Sequence, residues 1–420
     1  MTNFSEISAD PLYLTALANL GSSIPAKLTA APSNGSIAVL PFVDMSGEVG
    51  HEHFTDGLTE DIITDLSNVP GFFVIARNSV FAYKGKPTDV RQIAHDLGVK
   101  YILEGSARRA GQRLRINVQL INASEGGNHI WAERFDRDLR DIFVVQDEVT
   151  RRIVEAITGK LNSPTSPERQ RPSNVEAYDL VVRSRNIHNL SRAGCREASA
   201  LLTEAIALDP NFAEAHRRLA MVHAFGWIEY DEPEQAGRQL AMKSALRALE
   251  LDPTDSGAYS VYGYILLHER RWEEAELAFN KSLQLNANDA DSTVLYAYFK
   301  FLSGLPAESV ELVGKALRLN PKPPGWYYWV LGDAQIALGN YEDAVLTLRQ
   351  EETFRLLSRK SLAAALAFLG RTSEALAECK YFLEAYPGWS IRNGMRTQPF
   401  KDPDDAKFWA DAFRLAGLPE

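Results

Sequence analysis

The sequence predicts an α/β domain, a mixed small sheet with flanking helices, followed by an all-α solenoid of repeated helix pairs. Three observations predict it. Leu114, Ile116, Val118 and Leu120 alternate with Arg113, Arg115, Asn117 and Gln119, the period of a half-buried strand. Phe54, Leu58, Ile62 and Leu66 recur every four residues, one apolar stripe of an amphipathic helix. Beyond residue 200, the segments "IALDPN", "LELDPT", "LQLNAN" and "LRLNPK" close successive helical runs. The 420 residues are 45% hydrophobic and 24% charged, ordinary composition for two or three globular domains.

Residues 1 to 35 read as a tail that ends in the turn-rich "APSNGS". "SIAVLPF" is a short buried strand closed by Pro41, and "HFTDGLTEDIITDLSNV" is the first helix, with Thr55 or Asp56 as its cap. "FFVIAR" reads as a second strand and "TDVRQIAHDLGV" as a second helix that Gly98 ends. The strand from Arg113 is preceded by another, with Ala110-Gly111 as the hairpin turn between them. "HIWAERF" adds a strand and "DIFVVQDEVTRRIVEAI" a closing helix, which completes a domain over residues 36 to 160. Residues 161 to 173, from "LNSPTSPERQRPSN", carry three prolines and no apolar period, and read as a linker.

From 174 to 400 the chain repeats. With Pro210, Pro253, Ala287 and Pro321 as equivalents, the steps are 43, 34 and 34 residues. A 34-residue helix pair followed by proline is the pattern of the tetratricopeptide repeat. Gly263, Ala275 and Phe279 fill its small and aromatic positions in the third unit; Gly332, Gly339, Ala344 and Leu348 do so in the fifth. Gly370, Ala375 and Pro387 do so in the sixth. Five clear units and a degenerate one are expected, the long first step being a loop at "GWIEYDEPEQ" and the fifth unit losing its proline near "RQEETF". "KDPDDAKFWADAFRLAGL", within residues 401 to 420, reads as a capping helix.

Arg108, Arg109, Arg113 and Arg115 crowd one hairpin, yet they fall on the wet face of a strand in a domain rich in carboxylates. The net charge of −10 also repels polyanions, so direct nucleic-acid binding is not expected. The carboxylates of "GLTEDIITDL" and "DRDLRDIF" stand at helix-surface spacings and read as solvated ion pairs. His51, Glu52, His53, Asp56 and Glu60 form one local cluster without a distant ligand, which reads as a polar loop, and no metal is expected. Phosphate-loop, nucleophile-elbow and H-E-x-x-H patterns do not occur, so no catalytic residue and no cofactor site is assigned. Cys195 and Cys379, 184 residues apart, suit reduced buried thiols. The leading segment carries Glu6 and Asp10 without Lys or Arg, the wrong sign for a signal peptide, and no apolar run reaches 18 residues. A cytoplasmic protein without membrane insertion is expected; "LTAAPS", which could mimic a cleavage site, keeps a periplasmic one as the alternative.

"SIAVLPF", "DGLTEDIITDLSNVPGFFVIARNSVFAYKG" and "AHDLGVKYILEGSARRAGQRLRINVQLINASEGGNHIWAERFDRDLRDIF", followed by the repeats, resemble a known arrangement. It is the TolB-like amino-terminal domain followed by tetratricopeptide repeats, as in the C-terminal part of bacterial class III adenylate or guanylate cyclases and of some winged-helix regulators. In those proteins an effector domain precedes this pair, whereas 35 residues precede "SIAVLPF". The resemblance therefore implies a non-catalytic sensing or docking module for a protein or peptide partner. A subunit of a cyclase system and a regulator acting through a partner are the alternatives; a homo-oligomer is open. In such repeats the first helix of each unit lines a concave groove. That register places Arg217, Ser260, Tyr264, Asp291, Tyr298, Phe301, Trp326, Trp329 and Asp333 on the groove side. Aromatic rings interleaved with polar groups suit capture of a peptide.

Overall fold

The structure is a computed structural model that describes residues 35–46, 52–124, 127–159, 171–185, 187, 191–229, 234–350 and 355–420. The predicted tail, His51 and most of the predicted linker lie outside the described residues. Among the described residues the sheet has six strands: β1 (Ser36–Val39), β2 (Val43–Asp44), β3 (Phe73–Val74), β4 (Tyr101–Ala110), β5 (Arg113–Asn122) and β6 (Asn128–Asp138). Their order is β3-β1-β4-β5-β6, with β2 also on β4. β1 runs parallel to β3 and β4, and β4, β5 and β6 form an antiparallel meander. Parallel neighbours need crossovers. These are α1 (Glu52–Ser67), then α2 (Arg77–Phe81) and α3 (Val90–Leu97). Helix α4 (Ile142–Thr158) follows β6 and packs with α1 against the sheet.

The alternation on β5 holds: Leu114, Ile116, Val118 and Leu120 are buried, while Arg113 and Arg115 are exposed. Arg115 stands opposite Asp136 on β6 and donates to it at 2.6 Å. The hairpin turn is Gly111-Gln112, one residue later than predicted, because Ala110 still pairs with Arg113 and Gly111 supplies the φ of 60°. Gly98, at φ 65°, ends α3, and Asp89 caps its start. Only Phe73 and Val74 of "FFVIAR" lie in a strand. Ala76 instead donates to the carbonyl of Leu319, 2.8 Å away in the repeats, and the unpredicted α2 begins there. Because α1 starts at Glu52, Thr55 and Asp56 lie inside it and cap nothing. The Thr55 hydroxyl bonds the Glu52 carbonyl, and Asp56 accepts from Lys84 at 2.7 Å.

Among the described residues, six helix pairs follow. They are α5 (Val175–Arg185) with α6 (Arg192–Leu208), α7 (Ala213–Glu229) with α8 (Glu234–Leu251), and α9 (Ser256–His268) with α10 (Trp272–Leu285). Next come α11 (Ala290–Leu302) with α12 (Pro306–Leu319), α13 (Trp326–Ala337) with α14 (Tyr341–Leu348), and α15 (Arg355–Phe368) with α16 (Thr372–Ala385). The long first step is not mainly a loop: α7 and α8 have 17 and 18 residues against 13 and 14 for α9 and α10. Small residues let the helices close. A Cβ on Gly332 would stand 2.5 Å from Leu348, so glycine is required where α13 crosses α14. No described helix is long and apolar enough to cross a membrane.

The two parts share one core. The buried side chains of the sheet, α1 and α4 continue into Tyr178, Val181 and Val182 of α5, and on to Leu202 and Phe212. Helix α5 approaches α1 over Gly57, where a Cβ would lie 2.6 Å from Val182 and 3.0 Å from the Tyr178 hydroxyl. Tyr178 also meets Phe143 of α4 edge to face at 5.2 Å. At the other end, α17 (Ile391–Thr397) and α18 (Pro403–Ala416) turn back: Trp409 reaches Phe301 of α11 at 5.7 Å, two units away.

Candidate functional site

The first helices of successive units pack side by side, and two other parts of the chain lie against them. The α/β domain covers the first units. Asp61 of α1 accepts from the Tyr178 hydroxyl at 2.6 Å, from Gln146 at 3.0 Å and from Arg185 at 3.1 Å. Arg185 also donates to both oxygens of Glu214, at 3.0 and 2.8 Å. Glu60 meets Arg77 at 3.0 Å and Arg218 at 3.3 Å, and Arg171 pairs with Asp65 at 2.6 Å. The expectation of solvated ion pairs is therefore corrected for α1: Asp61 and Asp65 are buried, Asp61 under α5 and Asp65 beside Arg171. Burial, and then the neighbouring Asp61, pushes the Tyr178 phenol well above its usual range, so it stays a donor.

Farther along, polar side chains latch the β3 edge to the loops between repeats. The Ser79 hydroxyl donates to Asn320 at 2.7 Å and accepts from the Lys322 amide at 2.8 Å. Asn286 donates to the Ser67 hydroxyl at 2.8 Å, and Asn288 to the carbonyls of Ser67 and Phe72, each at 3.0 Å. Between the carboxylate network and this latch lies a cleft of about 440 Å³. Arg217, Ser260 and Asp291 all line it. Arg217 pairs with Asp255 at 2.9 Å, and Asp291 accepts from the Tyr327 hydroxyl at 2.6 Å. Asp291 keeps accessible surface toward the cleft, yet protein surrounds it; that enclosure and the nearby Asp289 raise its pKa to about 6.

The remaining predicted residues fall under the C-terminal segment. The Tyr298 hydroxyl donates to Gln398 at 3.0 Å, and Phe301 meets Phe400 edge to face at 5.8 Å. Arg270 donates to the Phe400 carbonyl at 3.3 Å, and the Lys401 amide to the Leu302 carbonyl at 2.9 Å. Trp329 and Asp333 line a small pocket with Phe301, Lys360, Trp389 and Phe400. Burial raises the Asp333 carboxyl to about 7. Tyr264 is buried between Tyr298, at 6.4 Å, and His268, at 4.7 Å. Burial drives the His268 imidazole down to about 3, so it is neutral. Trp326 packs on Tyr327 at 4.7 Å, in a cluster that includes Phe73 and Ala76 of the α/β domain.

The nine residues thus divide: Arg217, Ser260 and Asp291 at the cleft; Tyr264, Tyr298, Phe301, Trp329 and Asp333 around the C-terminal segment; Trp326 beside β3. Sequence reasoning missed the partners from outside the repeats: Glu60, Asp61, Ser79, Gln398 and Phe400. The signal for α1 was the unusual density of carboxylates on its non-apolar face, with Arg171, Arg185 and Arg218 downstream as candidates to answer them. Among the described residues no group of three or more His, Cys, Asp or Glu could hold a metal ion.

Comparison with known proteins supplies relatives for both parts. Residues 33–152 match the model of the HilA/YgeH-like transcriptional regulator, second domain, and residues 244–276 that of a tetratricopeptide repeat. A protein of Rhizobium meliloti (strain 1021) that bears the name of an adenylate cyclase is 45% identical over 264 residues. The alignment takes in 62% of this chain and 44% of that protein, so the chain spans under half of its relative. A solved structure of pilF from Pseudomonas aeruginosa aligns with a TM-score of 0.38 and 20% identity, over 51% of this chain and 94% of that one. TolB from Acinetobacter baumannii aligns with a TM-score of 0.23 and 18% identity, over 31% of this chain and 29% of that one. The second part of the chain carries tetratricopeptide repeats, a fold used for protein interaction.

Proposed function

We propose that the chain is a non-catalytic regulatory module that binds a protein partner along the inner surface of its repeats, with a TolB-like domain as its first part. Its output would come from a cyclase-type effector, in the same protein or in a separate one. The observation that carries this reading is the seating of the α/β domain on the inner surface of the first units. The two parts share a core, so an event at the repeats acts on the α/β domain as well. No catalytic group is needed for that role, and the carboxylates of α1 are held by guanidinium, phenol and amide groups rather than poised over an open site. A second reading, a transcription regulator acting through a partner, draws on the match of residues 33–152 to a regulator's second domain. A cytoplasmic location goes with both readings.

The partner would meet Tyr298 and Trp329, which are only half-buried, once Gln398 and Phe400 give way. Large rings in such places carry much of a binding energy. A partner recovered by crosslinking should be titrated against three proteins. Tyr298→Ala with Trp329→Ala should weaken binding at least about tenfold, ~1.4 kcal/mol, with helical content retained. Gln398→Ala with Phe400→Ala should tighten it. Equal affinity for all three proteins would reject the inner surface, and cyclic-nucleotide production by the purified chain would reject the non-catalytic role.

A further inference from the structure

The cleft between the α/β domain and the repeats has features that partner binding does not use. Its volume of about 440 Å³ falls in the range of small-molecule sites, roughly 300–1,000 Å³. Its charges are unevenly settled. The guanidinium groups of Arg185 and Arg218 are answered by Glu60 and Glu214, and that of Arg217 by Asp255. Asp252 and Asp289 accept from backbone N–H groups, of Thr254 and Ser292, at 2.9 and 3.0 Å. Asp291 differs. One of its oxygens takes the Tyr327 hydroxyl, its surface opens into the cleft, and among the described residues no cation stands within ion-pairing distance. On the adjacent first helix, Ser260 lines the same cleft at 1% exposure, and its hydroxyl has no hydrogen-bond partner among the described residues. A buried hydroxyl left unsatisfied is unfavourable, and a ligand atom would relieve it.

We propose that this cleft binds a small organic cation, whose ammonium or guanidinium group donates to Asp291 and Ser260. Both groups accept, and an ammonium or guanidinium offers three to five N–H donors. A metal ion fits less well, since hard cations take six or more oxygen ligands and no three carboxylates converge here. The protein crowded around Asp291 and the nearby Asp289 raise its carboxyl to about 6, so a cation bound beside it would favour its charged form. Since α9 and α11 form one wall and α1 the other, a molecule held there touches both parts of the chain. The site is independent of the partner surface around Tyr298 and Trp329.

The test is calorimetric titration of the full chain with agmatine, which carries both cationic groups, with glutarate as the anionic control. Saturable one-to-one binding of agmatine and none of glutarate is expected. Asp291→Asn retains an acceptor for Tyr327 and so should fold normally, yet should weaken agmatine at least about tenfold. Ser260→Ala, which leaves the carboxylate in place, should weaken it severalfold, and Asp411→Asn on the exposed last helix should change nothing. Absence of binding at millimolar agmatine, equal binding to the Asp291→Asn chain, or saturable binding of magnesium in its place would each overturn the proposal.

Discussion

Ser79 and Asn320 are 241 residues apart in sequence and 2.7 Å apart in space, the Ser79 hydroxyl donating to the Asn320 side chain in a buried setting. With the Ala76 amide on the Leu319 carbonyl, they fasten the β3 edge to the repeats. Asn320→Ala leaves the Ser79 hydroxyl without its acceptor. The expected cost is about 1–3 kcal/mol, seen as a lower unfolding midpoint in urea.

The carboxylate network gives a larger effect. Asp61→Ala takes the acceptor from the Tyr178 phenol and Gln146 and one of three carboxylates from Arg185 in the shared core, and breaking a buried pair from one side costs about 3–5 kcal/mol. Arg115→Gln, on the exposed sheet face, should leave the same midpoint almost unmoved. Comparable losses for the two variants would mean that α1 does not dock as described.

Gly57 tests the docking by volume. Gly57→Leu would drive a side chain into Val182 and Tyr178, which already lie within 3.0 Å of an added Cβ. Overpacking of this kind costs about 1–3 kcal/mol. Thermal scans should show an earlier transition of the α/β domain, whereas a merely helix-stabilising effect of replacing glycine would raise it.

Asp333 predicts a dependence on pH. Its carboxyl is raised by burial from 3.8 to about 7, so its contribution to stability is fully present below about 3.8 and is lost as pH rises through about 7. Asp333→Asn should therefore raise the melting temperature at pH 8 and leave it unchanged near pH 3.5. His268 acts on the other side. Its pKa is lowered from 6.5 to about 3, so its contribution is present above about 6.5 and is lost as pH falls toward 3.

The repeats were legible because most units carry the same local code: proline after the second helix, as at Pro210, Pro253, Pro321 and Pro387, and glycine where helices cross, as at Gly332 over Leu348. The β5 strand was legible because one face is dry and the other wet. The docking was not, because its determinants are spread out. Asp61 needs Gln146 from α4 and Tyr178 and Arg185 from α5, separated from it by up to 124 residues. On a helix such as α1, a carboxylate face reads as solvated until something is known to cover it. The groove residues were placed on the inner surface by register alone, and register cannot show that Gln398 and Phe400 return to lie on Tyr298 and Phe301.

The fragments offer a check on the shared core. Proteolysis between residues 160 and 170 should release two pieces that still co-elute in gel filtration, since α5 remains packed on α1 and α4. Separation in native buffer would mean two independent domains.

The docking of the α/β domain on the repeats is measured most directly by hydrogen exchange, followed by mass spectrometry, on the full chain and on an Asn288→Ala, Asn320→Ala variant. Asn288 and Asn320 hold Ser67, Phe72 and Ser79 across the junction. The variant should exchange faster at residues 67 to 79, which carry no substitution, while α15 and α16 keep their protection. Faster exchange confined to the substituted loops, with residues 67 to 79 unchanged, would contradict the docked arrangement.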